Sequence, residues 1–458
     1  MENYTRNAKW REFQNRTRAG KKRREKGLRY GKLAVLLLLV LISGYLIKNL
    51  MIRAPEQEKE TAPPGLVETK GPPELTKAEL QPLISDQPYF KLARKNFIVN
   101  QNGNIYNIST SLNTDLQNYL LARLDRLKTL TRGKPRRIAF TVLEPDSGRI
   151  RAMAGFDLSD PQSNPCTASD YPAASLFKIV TAAAAVQEKG FTPKTPLFYN
   201  GGKYTLYKRQ LKNTRNRYTR KVYFDDAFAG SINPVFGKIG QSTLGCEILD
   251  RYADNFGFNT PINFELEVEP SSMAILPEKP YQWAEVGCGF NKTTTVSPLF
   301  AAMMAGAVVQ SGTMHLPILV ESVIDVDDNT VYKAEPSVFK NAVSKNTADV
   351  LVQLMQRTVN RGTAKKAFKG YSRDPALSGL TIGGKTGSLY NRDHTIKYDW
   401  FTGFAKSKNN GKKLAVSVIV GHGKYIGTRA SMHARMIFKE FFENHAVSEK
   451  QNKNQSSG

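Results

Sequence analysis

Cysteine and histidine are scarce in this chain: three Cys, at 166, 246 and 288, and five His among 458 residues. Thiols so few and so scattered exclude a fold built on disulfides. Without a Cys-x-x-Cys pair there is no readable structural zinc site either. Cys246 and Cys288 are the two that an oxidising compartment would join, if the fold brought them together. No Gly-x-Ser-x-Gly elbow is present, and nothing calls for a metal or a cofactor. Acid is short as well, 40 Asp+Glu against 66 Lys+Arg, for a formal net charge of +26. What is present is apolar enough to fold: 40% hydrophobic residues, 23 Phe among them, exclude a wholly disordered chain. The length suggests two or three folding units.

The placement of charge decides its meaning. Residues 1–32 carry twelve Lys/Arg and three Glu, a net +9, and are followed directly by LAVLLLLVLISGYLI and then Lys48. The apolar run 33–52 is twenty residues, which at ~1.5 Å per residue spans the ~30 Å hydrocarbon layer. No A-x-A-like cleavage site follows, so the run reads as a retained anchor and not as a signal peptide. Basic residues before the span place the amino terminus in the cytoplasm and the remainder outside it. The expected location is the bacterial inner (cytoplasmic) membrane, single-pass, with an extracytoplasmic body. Nucleic acid is then an unsuitable partner, and membrane headgroups or anionic wall polymers suit the remaining charge.

Residues 53–83, rich in Pro, Glu and Lys, read as a flexible spacer, and 84–134 as a small lead-in segment in which 114–127 has helical apolar spacing. The body is expected over 135–446. RIAFTVLEPDSGRIRAMAG (137–155) is a hairpin signal, and SLFKIVTAAAAVQEKG (175–190) is an Ala-rich helix ending at Gly190. Helical patterns cover 231–243, 246–256, 298–311, 346–360 and 429–444. Strand-like runs lie at 316–326, 380–387, 398–405 and 413–421. Residues 447–458 read as a polar, disordered tail. The fold class is α/β (α+β): an antiparallel sheet flanked by helices, with an all-helical subdomain.

The chemistry sits in three short stretches: Ser175-Leu-Phe-Lys178, Ser231-Ile-Asn233 and Lys385-Thr386-Gly387-Ser388. On a helix, residues three apart share a face, so Lys178 can reach the Ser175 hydroxyl. A serine hydroxyl is a weak nucleophile until a base takes its proton, and a lysine is such a base only when its pKa is depressed. The apolar helix supplies desolvation, and Lys385 brought alongside supplies a second cation. A decoy set exists, Ser337-Val-Phe-Lys340 and Ser344-Lys-Asn346, but its members are too close together to flank a cleft. Ser344 or Asn346 suits the N-cap of the helix that follows.

With these three motifs the chain resembles the penicillin-binding transpeptidase family over roughly residues 135–445. PAASLFK (172–178), GCGFNKTTTVSPLFAAMMAGAV (287–308), NRGTA (360–364) and DWFTGFA (399–405) add to the likeness. The resemblance implies a β-lactamase/transpeptidase-like fold and a Ser175 acyl-enzyme with the D-Ala–D-Ala end of a peptidoglycan stem peptide. It implies Lys178 as general base, and Ser231 with Lys385 behind it as proton relay to the leaving amine. Asn233 would bind a substrate amide and position Lys178. Thr386 and Ser388, flanking Gly387, would hold the terminal carboxylate, and the backbone N–H groups of Ser175 and Ser388 the oxyanion. β-Lactams would be covalent ligands. About sixty residues between span and lead-in leave no room for a glycosyltransferase, so a separate one is the expected partner. The motifs do not separate a transpeptidase from a D,D-carboxypeptidase, and a sensor or scaffold remains the non-catalytic alternative. A β-lactamase is less suited, since no Glu sits in a matching context for deacylation. The stretch 203–221, with eight Lys/Arg and no acid, reads as a solvated loop or as a contact for anionic polymer. Trp400 and Phe401 suit core packing or the substrate, and His422 a structural place.

Overall fold

The computed structural model describes residues 75–85, 91 and 93–455, with side chains up to 443 in the last helix. All of them fall in one unit, Lys70–Gly458. The tail 1–32, the span 33–52 and most of the 53–83 spacer lie outside the described residues. Among the described residues no helix is long and apolar enough to cross a membrane.

In chain order the first elements are α1 (Lys77–Ile84), β1 (Asn96–Gln101), β2 (Asn104–Thr110), α2 (Thr114–Lys128), β3 (Pro135–Leu143) and β4 (Ile150–Asp157). The middle holds α3 (Lys178–Lys189), β5 (Pro196–Tyr199), β6 (Arg220–Tyr223), α4 (Phe224–Ala229), α5 (Asn233–Lys238), α6 (Gly245–Phe256), α7 (Pro280–Cys288) and α8 (Pro298–Val309). Then come β7 (Val320–Ile324), β8 (Thr330–Lys333), α9 (Lys345–Asn360), β9 (Leu380–Tyr390), β10 (Lys397–Ser407), β11 (Lys413–His422) and α10 (Ala430–Gln455).

Five strands form one antiparallel sheet in the order β9-β10-β11-β3-β4, with β9 at an edge. Its central strands are buried on both faces, which is why they read as near-continuous apolar runs. Alternation sorts them: Ile138, Phe140 and Val142 face one core with Leu120 and Leu124 of α2 and Phe438 of α10. Ala139 and Leu143 face the other, with Phe300 of α8 and Ile179 of α3. Every residue of α8 is buried, so it is a central helix with no polar face.

Three expectations need correction. The spacer does not extend to residue 83. Thr76 and Glu79 form a capping box for α1, and Leu80, Leu83 and Ile84 are buried in the main core. Averaging composition over the Pro/Glu/Lys-rich stretch conceals that local signal. Nor is the helical side purely helical, since β5 and β6 pair within it. Finally, α10 continues to Gln455 through residues read as a disordered tail. Glu, Lys and Gln cost little in a helix, so a helix already anchored by packing can run on. The lead-in is also more than a connector. β1 and β2 pair with β7 and β8 in a second, four-stranded sheet, β1-β2-β7-β8, joined across more than two hundred residues.

Candidate active site

A 3-10 turn, Ala174–Phe177, leads into α3. Within the buried run from Tyr171 to Val180 only Ser175 retains partial exposure. Ala174, just before it, has φ of 48°, a left-handed conformation disfavoured for a residue with a side chain. The constraint comes from packing. Gly289, the left-handed cap of α7, lies so close that a Cβ there would stand 1.8 Å from the Ala174 carbonyl oxygen. Strand β9 closes the other side, where a Cβ on Gly387 would be 3.4 Å from the Ser175 nitrogen.

Lys178 is fully buried and its Nζ has three polar neighbours. Ser175 Oγ is 2.8 Å away and Asn233 Oδ1 2.9 Å, and the third is the Cys288 carbonyl oxygen. Asn233 Nδ2 donates to the Tyr204 carbonyl at 3.0 Å, which turns its Oδ1 toward the lysine. Two of the three neighbours can only accept. A neutral amine has two N–H groups for them and one lone pair, aimed at the Ser175 hydroxyl. Burial pushes the Lys178 pKa down to about 8, toward that neutral form.

From Ser175 the line continues. Ser231 Oγ donates to Ser175 Oγ at 2.9 Å, and Lys385 Nζ donates to Ser231 Oγ at 3.1 Å. Ser231 also has a left-handed backbone, φ 52°, in the turn between α4 and α5. Lys385 is fully buried on β9 and donates to the Thr386 carbonyl at 2.8 Å. Burial first, and the neighbouring Lys178 cation second, hold its pKa well below the usual lysine value. The four groups form one hydrogen-bonded line that opens onto a cleft of about 770 Å³, which Asn233, Thr386, Gly387 and Ser388 also line. All eight residues singled out in the sequence thus meet at one place.

Other predicted positions fall elsewhere. Ser337 is exposed, and Ser344 is the N-cap of α9, where its hydroxyl accepts from Thr347 N–H. Trp400 is buried and donates to the Pro172 carbonyl at 2.9 Å, so it braces the nucleophile segment from behind. Phe401 belongs to the core that the sheet shares with α2 and α10. His422 is buried and accepts from Gly427 N–H. All three cysteines are free, so Cys246 and Cys288 do not pair. The eight basic residues of 203–221 are all exposed, with Leu206, Gln210 and Leu211 buried beneath them.

Some site residues carry no sequence signal of their own. The Cys288 carbonyl acts through backbone, so no side-chain motif reveals it. Thr363, hydrogen-bonded to Thr386, sits in the NRGTA segment but has no chemistry by itself. Lys366, Lys397 and Arg429 reach the cleft from three separate stretches.

A partly exposed serine facing a buried lysine of lowered pKa, with a second lysine behind a second serine, defines a serine acyl-transfer enzyme. Residues 138–443 match the penicillin binding protein transpeptidase domain, and the chain belongs to that family. It is 27% identical to stage V sporulation protein D of Bacillus subtilis (strain 168) over 297 residues, covering 60% of this chain and 44% of that protein. It is also 27% identical to peptidoglycan D,D-transpeptidase PbpA of Mycolicibacterium smegmatis over 376 residues, covering 74% of this chain and 72% of that one. The match thus spans less than half of the sporulation protein's length. Among solved structures, the D,D-transpeptidase domain of a peptidoglycan glycosyltransferase from Eggerthella lenta shares the fold. Its TM-score is 0.61 at 24% identity, over 80% of this chain and 87% of that one. Penicillin-binding protein A from Mycobacterium tuberculosis does so too, with TM-score 0.59 at 24% identity, over 74% and 82% respectively.

Proposed function

We propose that this chain is a membrane-anchored peptidoglycan D,D-transpeptidase that works through a Ser175 acyl-enzyme. The observation that carries the reading is the line Lys385–Ser231–Ser175–Lys178 opening beside edge strand β9. An extended stem peptide adds to that edge as a further strand, with its terminal carboxylate on the Thr386 and Ser388 hydroxyls. Lys178 takes the Ser175 proton as Oγ attacks the penultimate D-Ala carbonyl. The oxyanion forms against the backbone N–H groups of Ser175 and Ser388. Its collapse breaks the D-Ala–D-Ala amide, and Ser231, supplied by Lys385, gives a proton to the departing amine. An amine from a second stem then attacks the ester, and Ser175 regains its proton.

The basic tail and apolar run 33–52 support an anchor in the cytoplasmic membrane, with the body outside and glycan strands made by a separate glycosyltransferase. β-Lactams fit the same cleft as acylating analogues of the donor. The test supplies the full chain with a D-Ala–D-Ala pentapeptide and a labelled acceptor amine. A transpeptidase yields the labelled adduct with release of D-Ala. Release of D-Ala alone, at every acceptor concentration, makes the protein a D,D-carboxypeptidase.

A further inference from the structure

The cleft extends well past the reacting groups. Thr386, Ser388 and Tyr390 alternate on one face of β9, and the register pairs Ser388 with Asp399 and Tyr390 with Lys397 of β10. The face that holds the terminal carboxylate therefore continues to Tyr390 and Lys397, about 10 Å along the strand from Gly387 and the nucleophile. Lys397 lies with its Nζ 5.5 Å from the centre of the Tyr390 ring. Arg429 reaches the same cleft from the start of α10, and Lys366 from the loop after α9.

The charges there do not balance. Among the lining residues Asp399 is the sole acid, against Lys366, Lys397 and Arg429. It is also committed, accepting from Ala430 N–H at 2.9 Å and from Arg429 at 3.2 Å. A planar guanidinium keeps further donors after that one bond, and the Lys397 amine stands over the Tyr390 ring. A strand laid on β9 advances ~3.3 Å per residue, so the cationic end meets the second or third residue ahead of the scissile bond.

We infer that the Lys397–Arg429 end of the cleft is a carboxylate subsite, selecting stem peptides with a free carboxylate two or three residues before the scissile bond. The inference rests on the transpeptidase reading of the site. Two sources supply such a group: the side-chain carboxylate of a diaminopimelate third residue, or the α-carboxylate of a γ-linked glutamate before it. A lysine-type third residue with an amidated glutamate supplies neither.

The experiment measures D-Ala release by the full chain from four synthetic pentapeptides: free or amidated diaminopimelate, and free or amidated glutamate. Wild type should favour one free acid over its amide by at least about tenfold in kcat/KM, and that pair identifies the source. Lys397→Glu and Lys397→Gln should bring the ratio to about one or below, whereas Lys397→Arg should keep it. Because the ratio is read within each variant, a general loss of activity does not mimic the effect. Labelling by a fluorescent penicillin reports that each variant is folded, and if neither substitution folds, the wild-type ratio decides. Equal rates for acid and amide in wild type, or a preference that survives Lys397→Glu, would overturn the subsite. A wild type that takes no penicillin and releases D-Ala from no peptide would instead overturn the transpeptidase reading itself.

Discussion

Lys178 has three polar neighbours, and only the Ser175 hydroxyl can give it a proton. The arrangement is thus matched to the neutral amine, and the pH dependence follows from that. With a pKa of about 8, the lysine is mostly charged at pH 7, and only about a tenth of it is neutral. The base form grows as pH rises. The second-order rate of acylation by a penicillin should therefore climb about tenfold per pH unit below 8 and level off above it. Stopped-flow acylation between pH 5.5 and 9.5 checks this, and a rate that falls over that range would exclude Lys178 as the base. At this scale the sequence was highly informative. Spacing three residues apart placed the amine beside the hydroxyl, and the apolar run after Lys178 announced the desolvation. The Cys288 carbonyl and the left-handed Ala174 and Ser231 were not legible, because a backbone oxygen and a φ angle are set by what packs against them.

Elements place these residues with few degrees of freedom. The 3-10 turn at Ser175 is held between the cap of α7 and the edge of β9, so nucleophile and substrate-binding strand share one wall. Helix α1 shows how composition misleads. It lies in a stretch rich in Pro, Glu and Lys, yet Lys77 is 3.8 Å from the fully buried Glu265, and Gln81 donates to the Phe264 carbonyl. Leu80 is buried among core residues. Leu80→Ala should cost about 2–5 kcal/mol, as for other buried leucines, and lower the melting temperature by several degrees. An unchanged melting temperature in the full chain would return this segment to the spacer. The strands β3, β10 and β11 were legible as long apolar runs, whereas β1 and β2 were not. The Asn102-Gly103 turn joins β1 to β2 locally, but β2 pairs with β7 far away in sequence, and one-residue alternation does not encode a distant edge.

For the whole molecule, the site depends on bringing three segments together across more than two hundred residues, and two cores on opposite faces of one sheet do this. Family likeness covers residues 138–443, while α1, β1, β2 and α2 lie before it and brace it. The short motifs were readable because catalysis needs those residue types at those spacings. The basic rim of the cleft was not, since Lys366, Lys397 and Arg429 meet only in the folded chain. The whole reaction turns on Ser175 carrying the acyl group. Incubating the full-length protein with a penicillin, digesting it and locating the adduct by mass spectrometry tests that directly. The adduct should lie on the peptide containing Ser175 and be absent from Ser175→Ala that retains the wild-type melting profile. An adduct on another residue, or one that persists in Ser175→Ala, would rule out Ser175 as the nucleophile.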